Sequence, residues 1–246
     1  MEVSVTRGPF EGLYSYEIVM LVLGAVLFVV LLGLLVYNVI KQRKYGGLLV
    51  FFLATIPMIG YPSVQSIKFG KGLDELDKVA KGGTGAVAPD QKAATEKTID
   101  FVEARGRTPQ VQATVANAYR AIGDVDKAYT LAEKVSAAAP SEQIAKTLVP
   151  IYEAKLKQAV QSLPPGAATG AIDAGKTAEI SKIARQLEAQ PVTLSAQTRV
   201  TLAHGYAAIG DASKAAASVD KARAIQSDVP VDAELLQRIG RQPPSG

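Results

Sequence analysis

Between Ile18 and Ile40 the chain carries no charged side chain. As an α-helix that run is about 34 Å long, enough to cross a bilayer core of roughly 30 Å. The reading it imposes is an anchor in a membrane, with the remainder of the chain working beside a lipid surface.

A second apolar stretch follows the basic pentapeptide Lys41-Gln42-Arg43-Lys44-Tyr45 and runs from Gly46 to about Ile67. It contains Pro57, Gly60 and Pro62, which weaken a helix in water. Within a bilayer neighbouring helices satisfy the freed backbone groups, so a second crossing kinked near Pro57 is expected. A re-entrant or interfacial segment is the alternative. A cleaved signal peptide does not fit, because the leader at residues 1–16 holds Glu2 and Glu11 against Arg7, Glu17 follows it, and the apolar core is too long. The expected unit is an uncleaved hairpin at 17–67, with helices at about 17–40 and 46–67.

Sidedness follows from basic residues in short loops, which stay in the cytoplasm. Lys41, Arg43 and Lys44 place the turn inside, and therefore both the N-terminus and the long C-terminal region outside. Lys68, Lys71, Lys78 and Lys81 after the second crossing pull the other way. The expected location is the cell (inner) membrane, two-pass, with the C-terminal region extracytoplasmic.

The chain has no cysteine, so neither a disulfide framework nor a thiolate metal site is available. Its formal net charge is +4. Before Lys68 the basic residues are Arg7, Lys41, Arg43 and Lys44 and the acidic ones Glu2, Glu11 and Glu17, so most of the excess lies beyond, thinly spread. No cluster is dense enough for a phosphate backbone, and nucleic acid is not an expected partner.

Residues 68–92 are polar, and Lys81-Gly82-Gly83-Thr84-Gly85 has the composition of a flexible linker. From about 93 to 240 helix formers dominate and β-branched or aromatic runs are few, which predicts an all-α region, with a disordered tail at 241–246. Val111, Val115, Tyr119 and Ile122 line one helix face, and Gly123-Asp124 breaks it. Val125, Ala128, Leu131, Ala132 and Val135 form a second stripe that Pro140 ends. The turn returns later, for Ala121-Ile122-Gly123-Asp124-Val125-Asp126-Lys127-Ala128 is echoed by Ala208-Ile209-Gly210-Asp211-Ala212-Ser213-Lys214-Ala215. A helix pair this small cannot bury its apolar face alone, so repetition implies stacking.

This pattern resembles the tetratricopeptide repeat family. Tyr119, Gly123, Ala128 and Pro140 fit the family's marked places in one repeat, and Tyr206, Gly210, Ala215 and Ala222 in another. Tyr152, after Leu148-Val149, fits the first helix of a repeat between them. The second helix of that repeat is displaced to about Lys176 to Ala189 by an insertion around Pro164-Pro165-Gly166. Phe101, Ala104 and Pro109 fit the second helix of an incomplete opening repeat. The chain departs from the pattern in lacking tryptophan, in placing Pro150 inside the middle repeat, and in lacking the closing proline of the third. The resemblance implies a short α-solenoid of about three helix pairs. It also places Asn117, Arg120 and His204 on a concave face that takes a peptide or helix from a partner.

Gly170-Ala171-Ile172-Asp173-Ala174-Gly175-Lys176-Thr177 matches the phosphate-cradling loop of nucleotide hydrolases. That chemistry needs a buried strand feeding the loop, and Ser162 to Thr169 offers no apolar run of strand length. His204 is the only histidine, so a Ser-His-Asp arrangement and a histidine metal cluster are not expected. Neither crossing holds an acidic, basic or histidine residue in its interior, which argues against transport by this chain alone. Gly24, Ala25, Gly33, Gly46, Gly47, Ala54 and Gly60 allow close helix contact there. The expected function is a membrane-anchored adaptor or scaffold, a subunit of a membrane complex, with no cofactor and no catalysis. The alternative is a membrane-tethered nucleotide hydrolase using the Gly170 loop.

Overall fold

The computed structural model describes residues 10–41, 46–164 and 173–240. Arg43, Lys44, the first part of the Gly170 loop and the tail at 241–246 lie outside the described residues. What is described is all-helical, with no strand. The helices are α1 (Ser15–Ile40), α2 (Gly46–Lys81), α3 (Pro89–Arg105), α4 (Pro109–Ala121), α5 (Val125–Ala138), α6 (Glu142–Gln161), α7 (Ala174–Glu188), α8 (Ala196–Ala208), α9 (Ala212–Ile225) and α10 (Ala233–Arg238).

Helix α1 and the stretch of α2 from Val50 are long and apolar enough to cross a membrane. They lie against each other, with Phe28 meeting Phe52 edge to face at 5.7 Å. Gly24 lets α2 approach closely, for a Cβ there would stand 3.0 Å from Met58 and Ile59. Large apolar side chains such as Val29, Leu53 and Ile56 are mostly exposed on the hairpin's outer faces. Lys41 closes α1, its backbone N–H donating to the Tyr37 carbonyl.

The second helix does not stop where the polar composition begins. It continues through Pro57, Pro62 and residues 68–81 for 36 residues, about 54 Å. The expected linker at 68–92 therefore shrinks to the few residues between Lys81 and Pro89. The physical reason is a narrow apolar stripe of Phe69, Leu73, Leu76 and Ala80, buried while the lysines between them stay exposed. Such spacing holds one helix face against a neighbour even in a polar sequence. The neighbours are α3 and α4. The folded region thus begins on α2, not at residue 93.

From α4 onward each helix packs on those that follow it in a fixed order. Helix α4 contacts α5 and α6, α6 contacts α7 and α8, and α8 contacts α9 and α10, while α5 meets α6 and α7 meets α8. One continuous apolar core runs through them. Thr108, Ser141 and Ser195 cap α4, α6 and α8, each accepting from the backbone N–H three residues on.

The echoed turns have matching local structure. Gly123 and Gly210 adopt φ of 89° and 81°, a region that costs other residues a Cβ clash. Asp124 and Asp211 then cap the next helix, accepting from the Lys127 and Lys214 amides at 3.2 and 3.0 Å. Ala128 and Ala215 are fully buried. Tyr119 donates to Glu103 at 2.6 Å and Tyr206 to Glu188 at 2.5 Å, each reaching the helix immediately before its own. Tyr129 meets the ring of Tyr152 edge to face at 5.8 Å, packing α5 against α6. Pro140 follows α5, and Pro150 lies inside α6 without ending it.

Candidate functional site

Helices α6 and α8 lie side by side because Gly205 removes the side chain that would separate them; a Cβ there would come 3.0 Å from Leu156 Cδ1. Along this seam a cavity of about 290 Å³ opens. Leu156, Val160 and Val200 give it an apolar floor, and Lys157, Gln161, Gln197, Thr201 and His204 a polar rim.

The rim is held by a small network. Glu153 accepts hydrogen bonds from Thr201 at 3.2 Å and Thr198 at 3.4 Å, and from Lys157 at 2.8 Å. His204 Nε2 stands 2.9 Å from Asp232 Oδ2. The other oxygen of Asp232 accepts from the Leu235 amide at 2.7 Å, so one carboxylate caps α10 and ties it to α8. The resulting groove has an oily base and donors and acceptors at its edge.

Of the three residues expected on a shared concave face, only His204 lines this cavity. Arg120 is 6% exposed and its guanidinium is fully engaged within the chain. It donates to the Ala80 carbonyl at 2.7 Å, Thr84 Oγ1 at 3.0 Å and Asn117 Oδ1 at 2.6 Å. Burial pushes its pKa down from the ordinary value, and the charge of Glu153 opposes the shift. Arg120 therefore joins α4 to the end of α2, and Asn117, half-buried, orients it through Oδ1. A repeat register gives equivalent positions on a face and carries no sign that the Lys81–Pro89 connection covers Arg120.

Leu156, Lys157, Gln197, Val200 and Thr201 were not singled out in the sequence. Their signal was the spacing of four between Gln197 and Thr201, with Val200 and His204 flanking, on the helix whose Gly205 invites close packing.

The Gly170 loop lies partly outside the described residues. Where it resumes, α7 begins at Ala174 and Lys176 pairs with Glu179 at 3.4 Å. The element before the loop is α6, not a strand. Among the described residues no three His, Asp or Glu side chains converge to hold a metal ion. Compared with protein-family models, with curated proteins and with solved structures, the chain has no match.

Proposed function

We propose that this chain is a two-pass membrane scaffold whose stacked helix pairs form a tetratricopeptide-like solenoid and hold a segment of another protein in the seam between α6 and α8. The observation that carries this reading is the cavity there, with its apolar floor of Leu156, Val160 and Val200 and the amides of Gln161 and Gln197 on its rim. The helix contacts support the solenoid, since each pair touches only its neighbours. On this reading α1 and the first part of α2 lie in the bilayer of a cell membrane. The helix stack stands on the extracytoplasmic face, and the chain is one subunit of a larger membrane complex.

Photo-crosslinking in native membranes tests it. A crosslinking side chain at Gln197 is expected to trap a discrete partner band, whereas one at Lys221, exposed on α9, is not. Equal or absent trapping from both positions removes the groove reading. Resistance to alkaline extraction tests the anchor separately, and protease access in intact cells tests the side.

A further inference from the structure

A second cavity, of about 550 Å³, lies between α2 and α3. Lys68, Lys71 and Lys97 line it together with Phe101, Arg105 and Glu75. Its depth relative to the apolar hairpin is set by the register of α1 and α2. Gly24 meets Met58 and Ile59, and farther up Gly12 meets the ring of Phe69. That antiparallel register puts Ile18, where the charge-free run of α1 begins, level with Val64 of α2. Val64 and Ile67 are exposed apolar residues, and Lys68 follows them directly.

The charge in the cavity is unbalanced. Arg105 is already engaged with Glu17 at 2.9 Å. Lys68, Lys71 and Lys97 are exposed and form no ion pair among the described residues, and Glu75 is the only acidic side chain on the wall. Phe101 gives the same wall an apolar surface. Lysines directly above a lipid-facing helix, with their stems along apolar surface, are where phosphate headgroups are bound.

We propose that this cavity binds the headgroup of an anionic phospholipid, with Lys68, Lys71 and Lys97 around the phosphodiester and the acyl chains running down the hairpin past Ile67 and Val64. A lipid fits better than a free phosphate because the exposed apolar Val64 and Ile67 lie one helical turn before Lys68 and Lys71 on the same face of α2. The inference rests on the hairpin lying in a bilayer, as proposed above.

The test uses the full chain in neutral detergent, with native mass spectrometry counting bound phosphatidylglycerol against phosphatidylcholine. Phosphatidylglycerol is expected to be retained at least about tenfold better, with roughly fivefold lost for each lysine neutralised. The variant K68Q/K71Q/K97Q should lose the preference, and K78Q/K92Q/K221Q, which removes the same charge from exposed sites outside the cavity, should keep it. Soluble glycerol 3-phosphate should not displace the bound lipid. Equal retention of both lipids, equal loss in the two variants, or displacement by glycerol 3-phosphate would each overturn the site. Alkaline extraction reads the anchor independently, so lost lipid preference in a chain that still resists extraction refutes the cavity and leaves the membrane reading standing.

Discussion

Glu17, at the start of α1, and Arg105, at the end of α3, form an ion pair that spans the junction between the apolar hairpin and the helix stack. Arg105 meets both oxygens of the carboxylate, at 2.9 and 3.2 Å, and the two side chains are 8% and 0% exposed. Around it Arg105 also donates to the Gly12 carbonyl at 3.0 Å and stacks over the Tyr14 ring at 4.6 Å. Thr108 hydrogen-bonds Glu11 beside it. The stack is therefore seated on the hairpin through the residues just ahead of α1, as well as through the unbroken α2.

Because the pair is buried, losing one member leaves a charge without a counter-ion. Arg105→Leu is expected to destabilise the full chain by about 3–5 kcal/mol. Glu17→Leu combined with Arg105→Leu should recover most of that loss. Thermal unfolding in detergent measures both, and an additive double variant would refute the coupling.

Arg120 predicts a different signature, local rather than global. Its removal frees the Ala80 carbonyl and unfastens the connection in which the Gly85 and Val87 amides donate to Arg120 and Ala121 carbonyls at 3.3 and 3.5 Å. Arg120→Ala is expected to cost about 3 kcal/mol, given bonds from a charged donor. It should also speed hydrogen exchange at Gly85 and Val87 while leaving Asp211 and Lys214 unchanged. Uniform acceleration across the chain would show that Arg120 stabilises the whole core instead.

The repeated turn was legible in the sequence because its determinants are local. Gly123 and Gly210 carry the positive φ, and Asp124 and Asp211 the cap, all within a few residues. The hairpin helices were legible for the same reason, since an uncharged run of fixed length needs no tertiary information. The seating of the stack was not. Glu17 and Arg105 are 88 residues apart, and Phe69, Leu73 and Leu76 make too thin a stripe to outweigh the lysines around them in composition. The burial of Arg120 was not legible because its acceptor at Ala80 is a backbone carbonyl, which has no sequence identity. In the groove, His204 was found through repeat equivalence, whereas Leu156 and Val200 look like ordinary core residues until Gly205 brings α6 and α8 together.

Equivalence of the two turns makes a paired prediction. Gly123→Ala and Gly210→Ala each force a Cβ into the left-handed region, where nothing else crowds Gly123. Each should cost about 1 kcal/mol, lowering Tm by roughly 3 °C for a chain of this size. Asp124→Ala and Asp211→Ala should each cost about 1 kcal/mol through the lost cap. A large difference between the members of either pair would mean that the sequence echo does not carry a shared structural role.

Acid should loosen the stack first between α5, α6 and α7. Burial alone pushes the Glu133 carboxyl up, but hydrogen bonds from Lys182 at 2.8 Å and Gln186 at 2.7 Å outweigh it and hold its pKa below the ordinary value of 4.5. Glu179 behaves likewise, with burial opposed and exceeded by Lys155 at 3.2 Å. A carboxyl whose folded pKa is depressed contributes stability that is present above the unfolded value and is lost as pH falls through the folded one. Stability from these two groups should therefore hold at neutral pH and decline from about pH 4.5 downward. On the alkaline side Lys155 acts in the opposite sense. Burial pushes its pKa down, and Asp126 and Glu179 raise it above 10.5, so its contribution persists until pH rises through that raised value. Thermal unfolding of the full chain from pH 7 to pH 3 checks the acid limb, with Glu133→Gln and Glu179→Gln each expected to flatten it. A profile unchanged in the double variant would assign the acid sensitivity to other carboxylates and leave the Glu133, Lys182 and Gln186 contact without a role in holding α5 to α7.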